Sequence, residues 1–280
     1  MGWHGHLQLD YRRDDAGCGP RTIALDRHHG PLRVLQRLYP EGDAVCHHVL
    51  VHPPGGIVGG DVLQIDASLA PATHALITTP GATRYYRSAG EAAMQQLHAR
   101  VDAGARLEWL PLETIAYHGC IAENRLRFEL APGAEMFGWD VLALGLPAAG
   151  LAWERGSYQQ RLELPGVWLE QARIDATDTL LLNSPLGWDG QRVLATCWFA
   201  AGSSIDRSRR EALIEQARAL IDAHPLKARA GVSAAHDEVI VLRALAPRVE
   251  PVMQLLSSVW AAWRQTAWRL APCAPRVWRT

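Results

Sequence analysis

The segment from Val51 to Ser88 reads VHPPGGIVGGDVLQIDASLAPATHALITTPGATRYYRS and sets the pattern of the whole chain. It opens with a Pro-Pro-Gly-Gly turn, turns again on a second glycine pair, and places Asp61 directly before a run of alternating apolar and polar residues. Proline fixes φ and glycine permits positive φ, so this double turn has a defined shape. The alternation from Val62 to Leu69 and its repetition from His74 indicate two strands, which we interpret as a hairpin-like unit.

The same rhythm continues outward from this segment. Short alternating runs separated by Gly or Pro turns recur every ~8–12 residues, as is typical of all-β proteins. The sequence therefore predicts a mainly β fold over residues 1–200, with many short strands in a layered or solenoid-like β body. No sequence repeat of fixed length accompanies it. We expect a single domain over residues 1–280.

Near the end of the chain the pattern changes from strands to helices. Apolar residues at helical spacing predict an amphipathic helix over 203–224, and Ser208 to Glu211 fits a capping box. A strand over 236–246 comes next, and then a second helix over 250–268 leads into a proline-rich tail. The predicted fold class is thus mainly β with two C-terminal α-helices.

Three finer predictions concern strand neighbours. The run HLQLDYR near the N-terminus indicates an edge strand, before a Gly-Cys-Gly-Pro turn that includes Cys18. Two further strand pairs are expected to turn at His29-Gly30-Pro31 and at Asp102-Ala103-Gly104.

Composition excludes several classes of protein. The formal net charge is -1 with 28 basic and 29 acidic residues, so no strong field favours nucleic acid or an anionic membrane. No apolar run reaches the ~18–20 residues of a membrane helix, and the first residues lack the apolar core of a signal peptide. The five cysteines form no CxxC pair, which is typical of a reducing compartment. We therefore expect a soluble, cytoplasmic protein.

Motifs for nucleotide binding and for catalysis are missing. The glycine-rich loop is followed by Asp61, where a P-loop needs Lys and a hydroxyl to hold phosphates. The residues after Gly60 have the pattern of a strand, whereas a dinucleotide-binding loop leads into a helix. GxSxG and HExxH are also absent.

Histidine, cysteine and acidic residues provide the candidates for metal chemistry. On an extended strand Cys46, His48 and His52 would share one face, a set that suits first-row metals. The alternative is that they are half-buried strand residues with ordinary hydrogen bonds. Asp61 has two interpretations as well, since its carboxylate could fix the double turn or act as an oxygen ligand. Glu113 should be partly buried, with Arg84 or Arg87 as its ion-pair partner.

The motifs HPPGGIVGGD and TTPGATRYYRS resemble those of the UreD (UreH) family of urease accessory proteins. GPLRVLQRLYPEG, LEWLPLETIAYHG and the terminal PRVWRT resemble further family segments in the same order. The likeness extends from about Arg33 to the last residue. It departs at two positions, because Leu112 stands where Gln is expected and His118 where Asp is expected.

The resemblance implies a scaffold without enzymatic activity. It implies binding to apo-urease and to UreF, which receives the GTPase UreG, in a hetero-oligomeric complex without nucleic acid or membrane. It also implies no tightly bound cofactor, GTP only through the partner GTPase, and nickel only in transit along a polar path. The candidate path residues are Asp61, His52, Glu113 and His118. The residues of the partner-binding or structural motifs are Gly55, Gly56, Gly59, Gly60, Arg84, Tyr86, Arg87 and Trp278.

Two other classes of function stay open at this point. A sugar-binding β module would use exposed aromatic residues, for which Tyr85 and Tyr86 are candidates. A hydrolase would use Asp61 and Glu113 as a carboxylate pair. The C-terminal Trp263, Trp268 and Trp278 are candidates for a partner interface, since aromatic residues are enriched at interface cores.

Overall fold

The structure is a computed structural model that describes residues 2–16, 19–146 and 149–279. The turn predicted around Cys18 lies partly outside the described residues. The strands are β1 His4–Asp14, β2 Arg21–His29, β3 Arg33–Val34, β4 Val45–Val51, β5 Val62–Leu69, β6 His74–Thr78, β7 Thr83–Tyr85, β8 Ala93–Val101, β9 Arg106–Trp109, β10 Thr114–Ala116, β11 Cys120–Leu130, β12 Glu135–Leu144, β13 Gly156–Leu164, β14 Trp168–Asp175, β15 Val193–Ala201, β16 Ala230–His236 and β17 Val239–Ala246. The helices are α1 Thr179–Asn183, α2 Arg207–Asp222 and α3 Val249–Trp268.

These strands form two sheets packed face to face. The seven-stranded sheet has the order β14-β13-β11-β8-β5-β1-β2, and the ten-stranded sheet runs β16-β17-β15-β12-β9-β6-β4-β3, with β10 beside β12 and β7 beside β10. The described chain is 46% strand and 17% helix, so the mainly β class and the layered, solenoid-like arrangement are confirmed. Two of the three helices lie near the C-terminus, as predicted.

The predicted hairpins are wrong, because consecutive strands enter different sheets. β5 joins the seven-stranded sheet and β6 the ten-stranded one, and the same holds for β2 and β3 and for β8 and β9. The strands of this central part instead pair in parallel with their equivalents in the next coil, as β5 does with β8 and β6 with β9. A strand with one buried face shows the same alternation in a hairpin and in a coil, so the pattern predicts strands but not their partners.

The N-terminal strand is also placed differently from the prediction. β1 lies between β2 and β5, so β2 is the edge strand at this end of the sheet. Leu7, Leu9 and Tyr11 of β1 are almost completely buried and face the other sheet. The neighbouring strands β2 and β5 thus pair with both edges of β1. An edge strand would leave one of these edges exposed to solvent.

The core has two layers. One lies between the sheets and the other between the ten-stranded sheet and helices α2 and α3. β12 contributes to both, because successive side chains point to opposite faces. Trp139 faces the helices, while the neighbouring Asp140 faces the space between the sheets. This places an acid inside a strand that is otherwise almost wholly apolar and buried.

The helix boundaries agree closely with the prediction, but one cap does not. The carboxylate of Asp206 accepts hydrogen bonds from the backbone N–H groups of Ser208 at 2.9 Å and Arg209 at 3.1 Å. Asp206 is therefore the N-cap of α2, and the capping box predicted to begin at Ser208 is wrong. The strand predicted over 236–246 corresponds to β17, preceded by the unpredicted β16. None of the helices in the described residues has the length and apolar character needed to span a membrane.

The C-terminal tryptophans pack within the chain. Trp263 and Trp268 are buried, and the indole N–H of Trp263 donates to the carbonyl of Leu213 at 2.8 Å. The prediction that these two face a partner is wrong, since both are almost completely covered by the chain itself. Trp278, in a short 3-10 turn, donates to Thr78 Oγ1 at 2.8 Å. It thereby ties the tail to strand β6.

Candidate functional site: the glycine loop and the polar interior

Asp61 fixes the second glycine turn. Its carboxylate accepts hydrogen bonds from the backbone N–H groups of Trp3 at 2.8 Å and Val58 at 3.0 Å, and its side chain is buried. Its own N–H donates to the carbonyl of Val58 at 3.0 Å. This geometry supports the turn-fixing interpretation and connects the loop to the N-terminal segment. Whether Asp61 also contacts a metal stays a prediction.

The glycines let this loop pack against the second motif. A β-carbon on Gly56 would overlap the ring of Tyr86, and Gly60 adopts φ +92°, which favours glycine. The backbone N–H of Ile57 donates to the carbonyl of Arg84 at 2.7 Å, and the N–H of Tyr86 donates to the carbonyl of Ile57 at 2.9 Å. The two sequence motifs therefore form one unit, although they are separated by β5 and β6.

Replacing Asp61 by Ala is expected to lower the free energy of unfolding by about 2 kcal/mol, because two backbone N–H groups lose their acceptors. Thermal or urea denaturation of the full chain measures this. Asp43→Ala removes an exposed carboxylate and is the matched control, for which we expect no measurable loss. If Asp61→Ala were as stable as the Asp43→Ala control, the turn-fixing role would be excluded.

The other candidate path residues do not meet Asp61 at one point. His52 lies at the edge of a cavity of about 370 Å³ between the two motif loops, together with Arg84. Burial lowers the pKa of His52, against the opposing effect of the Asp61 charge. Glu113 is half-buried and His118 is exposed in a turn. Within the described residues, no three His, Cys, Asp or Glu side chains are arranged to hold a metal ion.

The ion pair predicted for Glu113 is not formed with either arginine in the part of the chain that the structure describes. Glu113 contributes its backbone carbonyl, which accepts from the N–H of Thr83 at 2.9 Å. Arg84 and Arg87 are exposed, and the aliphatic part of Arg87 packs over Gly119. The prediction is therefore wrong for the ion pair, because the arginine side chains project to solvent.

The predicted face of β4 is present, but its groups serve the core. Cys46 and His48 point between the sheets, as their alternate spacing predicts. The hydroxyl of Tyr11 is hydrogen-bonded to His48 Nδ1 at 2.7 Å, and burial lowers the pKa of His48 to about 4. Burial raises the pKa of Cys46 to about 11, so it remains a thiol. Since a thiol is a poor metal ligand, this geometry supports the interpretation as ordinary strand residues.

An acid that the sequence analysis missed lies between the sheets. Asp140 on β12 accepts hydrogen bonds from the side-chain amides of Asn124 at 3.1 Å and Gln160 at 2.7 Å. Burial raises the pKa of Asp140 to about 6. The buried hydroxyl of Tyr158 lies beside the side chain of Asn124 in the same interior cluster. Buried polar groups are usually hydrogen-bonded to one another or to an ordered water.

Polar groups continue from Asp140 toward the surface. Thr196 pairs with Asp140 across β12 and β15, is buried, and donates through Oγ1 to Glu170 Oε1 at 3.2 Å. Glu170 in turn pairs with the exposed Arg243. The charge of Glu170 contributes to the raised pKa of Asp140. We call Asp140, Asn124, Gln160, Thr196 and Glu170 the interior polar row.

Comparison with known proteins supports the family resemblance that the two motifs carry. A family model described as UreD urease accessory protein matches residues 4–279. This chain belongs to the UreD family. It is 69% identical over 280 residues to the urease accessory protein UreD of Leptothrix cholodnii and 60% identical over 280 residues to that of Variovorax paradoxus, with 100% of both chains covered in each case. It is 57% identical over 278 residues to that of a Polaromonas species, with 99% of each chain covered.

Membership in the UreD family gives the chain an accessory role in urease maturation. The UreD motifs mark the glycine loop, but the interior polar row lies elsewhere. The signal for it was a single acid in the apolar run FGWDVLAL, because an acid in a buried strand needs partners or a task. Its partners come from β11 and β13, which no local pattern connects to β12.

A second buried polar cluster of this UreD chain connects helix α3 to the ten-stranded sheet. Arg264 and Glu108 have no exposed side-chain surface, and Arg264 Nε donates to Glu108 Oε1 at 3.2 Å. Arg264 also donates to both oxygens of Glu41, at 2.8 and 2.7 Å. His74 and Trp260 contact the same Glu108 carboxylate at 2.7 and 2.6 Å. Burial would raise the pKa of Glu108, but the hydrogen bond and charge of His74 with the charge of Arg264 outweigh it, so that pKa is lowered.

Proposed function

We propose that this UreD-family chain is a non-enzymatic scaffold for nickel insertion into urease. It binds apo-urease on one face of the β body and UreF on another, and UreF receives the GTPase UreG. GTP acts through UreG, and nickel is the cargo of the complex, which works in the cytoplasm. The interior polar row is the observation that supports a path for nickel, because it offers oxygen ligands inside an otherwise apolar sandwich.

The ligands of the interior polar row suit the transfer of nickel better than its storage. Carboxylate, amide and hydroxyl oxygens bind nickel weakly compared with thiolates, so an ion that enters can also leave. Asp140 can hold or release a proton near neutral pH, since its pKa lies at about 6. A cation that approaches would favour the ionised form, and the neutral form would favour its departure.

The alternative functions receive less support from the geometry. Tyr85 is fully buried and donates to the carbonyl of Glu123 at 3.1 Å, so it cannot serve as an exposed sugar platform. Tyr86 is half-buried against the ring of Tyr117, with the ring centroids 5.0 Å apart. For a hydrolase, Asp61 would need a free carboxylate, and its two oxygens already accept backbone N–H groups.

Expression of a urease operon with and without this chain tests the proposal. We expect the chain to co-purify with urease subunits, UreF and UreG, and its deletion to leave urease with little nickel and little activity. Nickel content is measured by atomic absorption on purified urease, and assembly by affinity purification. Fully metallated urease in the deletion strain at ordinary nickel levels would overturn the proposal, as would turnover of a substrate by the purified chain alone.

A further inference from the structure

Histidines collect at the corner where β1 begins and β2 ends. In the antiparallel register His6 lies directly opposite His29, and Leu7 lies opposite His28. Leu7 is fully buried, so His6 and His29 both point to the outer face of the seven-stranded sheet. His4, two residues before His6 in β1, shares that face. Directly opposed side chains on neighbouring strands have β-carbons about 5 Å apart, which is within reach of one shared cation.

A carboxylate orients one of these rings. The Nε2 atom of His6 is 2.7 Å from Oδ2 of Asp66 on the adjacent β5, and the side-chain amide of Gln64 donates to the same oxygen at 2.7 Å. A ring N–H that donates to a carboxylate leaves the other nitrogen, Nδ1, with a free lone pair. Metal-binding histidines use this arrangement, because the carboxylate fixes the tautomer and raises the basicity of the ring.

The backbone at this corner is fixed while the side chains are accessible. Gly30 adopts φ +73° and sits so close to the His4 carbonyl and Gly5 that no β-carbon would fit. The end of β2 is therefore held against the start of β1. His4 and His29 are exposed, and the His6 side chain is 45% exposed. Rotation about side-chain bonds can thus bring the imidazoles together without a backbone change.

We propose that this corner binds one borderline divalent cation, of the class of Ni²⁺, Zn²⁺ and Cu²⁺, through the imidazoles of His6 and His29. Water completes the coordination, and Asp66 is a positioning residue that acts through His6. Neutral imidazole nitrogens are ligands that these metals prefer. The site lies on the outer face of the sheet, apart from the interior polar row, and it does not depend on the proposed role in nickel transfer.

Titration of the full-length chain with Ni²⁺ alone, by equilibrium dialysis at neutral pH, tests this proposal. We expect binding at micromolar free nickel, and its loss from this site in the double variant His6→Ala/His29→Ala. His28→Ala is the matched control, because His28 is an exposed neighbour on the opposite face and its removal should leave binding unchanged. Asp66→Asn should weaken binding by roughly tenfold to a hundredfold, as expected when the partner of a metal-binding histidine is lost.

Cu²⁺ as a second probe identifies the ligands directly. Electron paramagnetic resonance should show nitrogen couplings in the wild type that are fewer in His29→Ala and unchanged in His28→Ala. Melting temperatures of the variants should match the wild type, since substitutions of exposed side chains rarely destabilise a protein. No nickel binding by the wild-type chain at micromolar concentrations, or unchanged binding in the folded double variant, would overturn the proposal.

Discussion

Arg264→Met is expected to lower the free energy of unfolding by about 3–5 kcal/mol, because it leaves buried carboxylates without their positive partner. Glu108 has no exposed surface, and Glu41 is only 14% exposed. The long apolar side chain of methionine occupies most of the volume of arginine, so the loss reports charge rather than a cavity. Urea denaturation of the full chain measures it. In the Arg264→Met variant we expect α3 to pack less firmly on β9.

Matched variants separate charge from geometry in this experiment. Arg264→Lys keeps the charge but not the fork of donors that reaches both oxygens of Glu41, so its loss should be intermediate. Adding Glu108→Gln to Arg264→Met should recover part of the stability, since it removes one uncompensated charge. Arg207→Ala removes an exposed pair with Glu211 and should change nothing measurable. A loss for Arg264→Met as small as that of Arg207→Ala would show that the pair does not hold α3.

The same cluster shows what the sequence reveals and what it hides. Helix α3 could be predicted closely, because Val252, Leu256 and Val259 repeat at helical spacing and face the core. The role of Arg264 could not be predicted, since its partners lie 156 and 223 residues away along the chain. An arginine in an amphipathic helix is usually on the solvent face. Only the packing of α3 against two distant segments makes this one a buried ion pair.

The glycine loop illustrates the opposite case. The double turn followed from local residue chemistry, since Gly and Pro restrict the backbone where they occur. The contact between the two motifs was not predicted. The partners of the strands did not follow, because a hairpin and a coil bury the same alternating residues. The candidate metal residues were chosen from strand spacing and from the family resemblance, and Asp140 in the interior was not among them. Packing of β12 against β11 and β13 of the other sheet assembles that site.

Asp140→Asn is expected to make the chain more stable above pH 6 and less able to support urease activation. The pKa of Asp140 is about 6 in the folded chain, against an ordinary value of 3.8. The folded state therefore binds this proton more tightly than the unfolded state, and stability decreases as the pH rises from about 4 to about 6. The ionised carboxylate costs about 3 kcal/mol above that range. Asparagine carries no charge and avoids this cost, provided that Gln160 turns its carbonyl oxygen toward the new amide.

Urea denaturation at pH 4.5 and pH 8 measures the first half of this prediction. The difference in unfolding free energy between Asp140→Asn and the wild type should be near zero or negative at the lower pH and positive at the higher. Asp237→Asn, at an exposed carboxylate that pairs with Arg210, is the control and should show no such dependence. An equal difference at both pH values would mean that Asp140 does not titrate with a raised pKa.

Urease activation with the same variant measures the second half. A neutral amide is a weaker ligand for nickel than a carboxylate, so a path through Asp140 should transfer the ion more slowly while the complex still assembles. A variant that is more stable, assembles with urease and delivers less nickel would separate the path from the scaffold. Full activation by Asp140→Asn would exclude this acid from the path. In that case the buried charge would destabilise the folded chain without taking part in nickel transfer.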